Sequence, residues 1–270
     1  MVSGPNLFIG GTFTKINSSY TGSGGAAIDI TIGAGTANVN FPVVNGEVDS
    51  VISDGSGGWY IGGVFSKVGN VNRRGLAQID SAGNVTSFDL KIKGSVMTMV
   101  LSGSTLYVGG SFTTVNEGTL RNNLAAFDTS TGIATSFNPN VNNLIRSMVL
   151  SGSTLYAGGF FTGVNGGTSR NNLAAFDTST GLATSFNPNC DGIVLKLAIS
   201  GSTLYAGGLF NTVNGSTNRN YLAAFDTSTG TATSFNPNLN SFVMSIQLSG
   251  TTLYVGGAFT KVNGLATNRN

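Results

Sequence analysis

Residues 105–112 read Thr-Leu-Tyr-Val-Gly-Gly-Ser-Phe, and this stretch decides the fold because it returns. The string Leu-Tyr-(Val/Ala)-Gly-Gly begins at Leu106, Leu155, Leu204 and Leu253, each 49 residues after the last. Weaker copies begin at Trp59 (WYIGG) and Leu7 (LFIGG), with spacings of 47 and 52. A phenylalanine follows every time, at Phe13, Phe65, Phe112, Phe161, Phe210 and Phe259. A fixed period of this length is the mark of a repeat architecture. An aromatic kept in register through every unit predicts one shared core position for Phe112, Phe161 and Phe210.

Working outward, each unit reads as four short strands. Strand one is apolar: VMTMVLS from Val96, IRSMVLS from Ile145, VLKLAIS from Val194. A Ser-Gly-(Ser/Thr)-Thr turn follows, which is a hairpin signal. Strand two is TLYVGGSFTTV from Thr105, whose Gly pair predicts a bulge or the close approach of another backbone. Strand three is LAAFD from Leu124, closed by an Asp-Thr-Ser-Thr-Gly turn. Strand four is ATSF from Ala134, ending in Asn-Pro-Asn. Nowhere do apolar residues recur at helical spacing over ten or more positions.

Four antiparallel strands in a unit of about 49 residues are the arithmetic of a β-propeller blade. The rival, a β-solenoid, has shorter coils and no hairpin turns. The expected fold is therefore all-β, a single propeller domain over residues 1–270. Its units run about 1–46, 47–95, 96–144, 145–193, 194–242 and 243–270, the last partial. Strand two appears six times and the other strands five times each, which predicts five to six blades in an incomplete or excised ring. Terminal strands with unpaired edges predict self-association.

The strings LYVGGSFTTVNEG, NLAAFDTSTG and TSFNPN resemble the delta-sixty type repeat, a β-propeller repeat of large bacterial surface and secreted proteins. The resemblance covers nearly the whole chain and is sharpest over 96–270. It loosens over 1–95, where the closing strands NVNFPVV and NVTSFDL lack the Asn-Pro-Asn end. It implies an extracellular or cell-surface scaffold and brings no catalytic residues.

Composition agrees with a non-catalytic role. Charged residues are 9% of the chain, and Ser, Thr and Asn together number 91 of 270. Histidine is absent, which excludes His-based triads and His metal sites. A net charge of +2 is too small to argue for nucleic acid. No apolar run approaches the ~20 residues of a membrane span, and Met1 to Pro5 carries no signal-like pattern. The single Cys190 permits no intrachain disulfide, and no cofactor or metal is expected.

Three sets of residues recur at one phase. Asp29, Asp80, Asp128, Asp177 and Asp226 end strand three; one per unit, they do not converge as a catalytic pair must, and their expected role is in their own turns. The tyrosines at 60, 107, 156, 205 and 254, with Phe8, read as packing; Trp59 and Tyr221 break the pattern and are the candidates for stacking on a sugar. Arg73, Arg121, Arg170, Arg219 and Arg269 precede strand three, with Asn122, Asn171 and Asn220 beside three of them. These loops vary between units while the opposite turns hardly change, as binding loops on a rigid frame do. The candidate ligand-binding residues are thus Arg73, Arg121, Arg170, Arg219, Asn122, Asn171 and Asn220, set against a role in which each Arg ties its loop to nearby carbonyls. The expected function is a scaffold or binding module for protein or glycan partners at the cell surface. The alternative is a lectin-like glycan-binding propeller, and the third reading a propeller hydrolase or lyase.

Overall fold

The computed structural model describes residues 41–265 with their side chains. Residue 266, Gly11 and the short strands between residues 2 and 37 are described as backbone. Expectations placed on Phe8, Phe13, Asp29 and Arg269 fall outside the described side chains. The described residues form strands and turns with no helix, so the all-β expectation holds. Their contacts define two compact units: residues 1–121 with 125–135, and residues 122–124 with 136–270.

The second unit shows the repeat most plainly. Strand one (Ile145–Ser151) pairs antiparallel with strand two (Thr154–Gly159), which pairs antiparallel with strand three (Leu173–Asp177). The next repeat copies this with Val194–Ser200, Thr203–Gly208 and Leu222–Asp226. A third begins with Val243–Ser249 and Thr252–Gly257. The strand-one segments of the three repeats lie beside one another. In the first unit, Glu47–Ser53, Trp59–Val64 and Leu76–Ile79 form the same three-stranded sheet, and Lys93–Ser102 lies against Glu47–Ser53.

Strand four differs from the sequence reading. In four repeats it is one bridge, Ile79 to Val85, Phe127 to Ala134, Phe176 to Ala183 and Phe225 to Ala232. Only in the first repeat does a short strand, Thr36–Ala37, pair with Ile28–Asp29. The cause is local. The Thr184 amide still donates to the Ala175 carbonyl. Its own carbonyl is then taken by the Arg170 guanidinium, and its hydroxyl accepts from the Phe186 amide at 3.2 Å. Bonds that would extend the ladder are spent turning the chain away. Strand two differs as well. It runs unbroken only in Thr105–Val115; elsewhere it ends at the glycine pair, or at Val64 one residue past it, and the chain resumes as a hairpin of two-residue strands, such as Gly163–Val164 with Thr168–Ser169.

The glycine pair sets both departures from regularity. Opposite it, strand one slips register between Ile145 and Ser147, and likewise between Val194 and Lys196. A Cβ on Gly159 would overlap the Leu144 carbonyl oxygen of the same repeat. A Cβ on Gly158 would lie 2.5 Å from Cγ1 of Val194, which belongs to the next repeat. One glycine thus admits the bulged backbone of its own sheet and the other admits a valine from the neighbour. Around this notch lie Tyr156, Leu173, Phe186, Leu197 and Phe210, all buried. Phe112, Phe161 and Phe210 are 2%, 0% and 0% exposed, so their shared phase is a core position.

Gly158→Ala should therefore cost about 1–3 kcal/mol, the range for overpacking. Adding Val194→Ala should recover part of that cost, giving a double variant more stable than the sum of the singles predicts. Urea denaturation of the four chains measures both terms; strictly additive costs would place the two residues out of contact. Phe161→Ala should cost about 3–5 kcal/mol in the same assay.

Candidate binding face

Each candidate arginine sits at the end of the hairpin that follows the glycine pair. Its backbone amide closes that hairpin: the Arg121 amide donates to Thr113, Arg170 to Thr162 and Arg219 to Asn211. The side chain then doubles back. Nη1 of Arg121, Arg170 and Arg219 donates to the carbonyl of the preceding residue at 2.8–2.9 Å. Nη2 donates at 2.6 Å to Thr135, Thr184 and Thr233, on the closing segment of the same repeat. Arg73 makes the same two bonds, to Asn72 and Thr86, and adds Asp89 at 3.6 Å. In all four, Nε is buried without a partner. Two of the five guanidinium N–H bonds thus go to backbone carbonyls.

The neighbouring asparagines are paired. Nδ2 of Asn122, Asn171 and Asn220 donates to Oδ1 of Asn140, Asn189 and Asn238 at 2.6–2.7 Å. Asn189 and Asn238 are exposed. One residue on, Asn123 and Asn172 donate to the carbonyls of Val141 and Cys190 from a positive-φ backbone. Tyr221 takes that place in the next repeat with φ 65° and is half-buried. Trp59, the other stacking candidate, is 5% exposed and belongs to the core with Phe41 and Ile79. Its indole is not available to a sugar, which corrects that expectation.

Two further asparagine positions hold the fold and escaped the sequence reading. Asn165 and Asn214 start the hairpin turns with φ 48°. Nδ2 of each donates to the carbonyl of Gly181 or Gly230, while Oδ1 accepts from the amide of Ala183 or Ala232. Asn116 does the same to Gly132 and Ala134. On the loop entering strand one, Asn142 and Asn240 accept two amides each through Oδ1. Asp191 replaces Asn there and accepts from Asn211 and Thr212. The signal was present as a 49-residue spacing, hidden among 30 asparagines.

The recurring aspartates stand on the opposite turns. Oδ1 of Asp177 accepts from the amides of Ser179 and Thr180 and from both of their hydroxyls. Asp128 and Asp226 repeat the pattern. The hydroxyl and amide donors hold all three carboxyls below the ordinary aspartate range. Cys190 is fully buried, and desolvation pushes its thiol well above the ordinary range. Among the described residues no three His, Cys, Asp or Glu side chains come together as a metal cluster would require.

No family model matches the chain. No curated protein matches it either. Among solved structures it is similar to one described as the crystal structure of the computationally designed Ika4 protein. That likeness has 11% identity and a TM-score of 0.41, and it covers 66% of this chain and 90% of the other.

The aspartate turns carry a pH dependence. Their folded pKa values lie below the unfolded value of about 3.9. Their contribution is therefore complete above about pH 4 and is lost as pH falls through the folded values. Denaturation midpoints of the native chain and Asp177→Ala should be separated at neutral pH and converge in acid. A gap that persists well below pH 4 would show that the turn bonds do not need the charge.

Proposed function

We propose that the chain is a non-catalytic scaffold or binding module, composed of propeller-type blades of the delta-sixty kind and belonging to a bacterial surface or secreted protein. The observation that carries this reading is where the repeated polar groups point. The arginines, the turn aspartates and the hairpin asparagines all bond to the backbone of their own repeat or the adjacent loop. Side chains arranged this way stiffen a frame; they do not converge on a reacting atom. The buried, protonated Cys190 is a poor nucleophile, which weighs against a hydrolase or lyase. The blade reading is supported by strand-one segments lying side by side and by the valine seated in its neighbour's glycine notch. Five to six blades remains the number that the repeat count favours.

A second reading, glycan binding, is favoured by one observation: the amide pairs Asn171–Asn189 and Asn220–Asn238 recur on exposed loops. Each pair uses one donor and one acceptor, and planar amides suit sugar hydroxyls. Repetition would make sites of this kind weak singly and stronger together.

The two readings separate on a glycan array probed with the native chain and with an Asn171→Ala/Asn220→Ala variant. The scaffold reading expects no glycan above background. A glycan bound by the native chain and lost in that variant, with thermal stability unchanged, would replace it with the lectin reading. Arg121→Gln, Arg170→Gln and Arg219→Gln combined should lower thermal stability, since each Arg secures its closing segment. Unchanged stability with lost binding would make the arginines ligand contacts instead.

A further inference from the structure

The Asp-Thr-Ser-Thr-Gly turn of one repeat meets the closing segment of the repeat before it. Two of these junctions are tight. A Cβ on Gly181 would lie 2.9 Å from the backbone nitrogen of Asn138, and one on Gly230 would lie 3.0 Å from that of Asn187. A Cβ on Gly132, at the same phase, meets nothing nearer than the Phe88 ring at 3.6 Å. Phe88 is accordingly half-buried, whereas its counterparts Phe137 and Phe186 are each 2% exposed. Its ring lies at 61° to that of Tyr60, against 82° between Phe186 and Tyr156. The gap is a recess of about 260 Å³ within the first compact unit, and Gln78, Thr86, Ser87, Phe88, Asp89 and Thr129 are among its walls.

Two of these residues depart from the repeat. Gln78 stands where other units carry Ala126, Ala175 and Ala224, and Asp89 where they carry Asn138, Asn187 and Asn236. Both side chains are held in place. Nε2 of Gln78 donates to Oδ2 of Asp54 at 3.0 Å, and its Oε1 accepts from the Thr86 hydroxyl at 3.0 Å. The amide is thereby fixed with one N–H and one lone pair to spare. Asp89 accepts from the Lys91 amide at 3.0 Å and pairs with the Lys91 ammonium at 2.9 Å and with Arg73 at 3.6 Å. The hydroxyls of Ser87 and Thr129 take no partner among the described residues.

We propose that this recess binds one neutral sugar ring, a free hexose or the hexose end of a glycan. Its only charged wall is Asp89, so an anion is repelled. Lys91 and Arg73 already balance that carboxylate, so a cation gains little. What is left is a fixed amide, two hydroxyls, the spare lone pairs of a carboxylate and half of an aromatic ring. Donors and acceptors in alternation suit sugar hydroxyls, and the ring offers apolar surface to the C–H face of a pyranose. The volume is below the roughly 300–1,000 Å³ of pockets for drug-sized ligands, which limits the occupant to about one ring. The proposal gives the binding-module reading a ligand and rests on that reading; it uses neither the paired asparagines nor a terminal strand. An unrepeated site has no avidity to add, so the affinity is about millimolar, too weak to survive the washing of an array.

The test uses the isotope-labelled 270-residue chain, titrated separately with methyl glucoside, methyl galactoside, methyl mannoside and N-acetylneuraminate while its amide resonances are followed. At least one neutral glycoside should shift amides at 86–89 and 129–132 saturably, and not those at the tight junction of 135–138 with 178–181. The anionic N-acetylneuraminate should not. Gln78→Ala restores the residue that the other repeats carry and should weaken binding about threefold to tenfold. Ser87→Leu, at an exposed position, should block the recess without disturbing the core. Unchanged affinity in both variants would overturn the proposal, as would a preference for the anion. Shifts confined to residues 171, 189, 220 and 238 would overturn it too, while favouring the paired asparagines as the glycan site. No saturable shift with any of the four sugars would overturn it and leave the scaffold reading untouched.

Discussion

A valine side chain entering the space of an absent Cβ is the contact on which the rest of this protein depends. Val194 reaches into its neighbour at Gly158, Val243 at Gly207, and Val96 at Gly62. The second glycine of each pair lets strand one bulge towards strand two, and the bulge shifts the register of the valine's own strand. Spacing between repeats is thereby set by van der Waals contact between aliphatic carbon and bare backbone, where a single methylene is felt. The buried phenylalanines, the tyrosines and the two-residue hairpins are arranged around that contact.

Strand one, strand two and strand three were legible in the sequence because each is a short apolar run flanked by turn residues. The glycine pair announced its bulge. The fourth strand was misread, since ATSF has the composition of a strand. Its fate is decided by Arg170, some fourteen residues earlier, whose Nη2 takes the Thr184 carbonyl. Local composition carries no trace of a bond made across that distance. Trp59 was misjudged for a related reason: a unique aromatic in a repeat looks like a specialised residue, but here it fills the core between Phe41 and Ile79.

Of the candidate site, the residues were legible and their allegiance was not. Arg121, Arg170 and Arg219 recur in phase, and recurrence is equally the sign of a binding array and of a structural tie. The two part company only at the atoms, where Nη1 and Nη2 face backbone carbonyls. The asparagine clamps at 165 and 214 were harder still. In a chain with 30 asparagines, a residue that satisfies both a carbonyl and an amide cannot be told by type from one that merely contacts water. Such side chains, at Asn116, Asn165 and Asn214, tie the hairpin turns to the closing segments in a chain with only 9% charge.

The burial of Cys190 gives the molecule a built-in clock. The thiol is sealed among Phe186, Val194 and Phe210, and its proton is held tightly by an apolar surround. An alkylating reagent reaches it only when that repeat opens, because the attacking species is the thiolate and the closed site suppresses it. With no second cysteine to compete, the rate of modification reports the breathing of one interior seam in an otherwise silent chain.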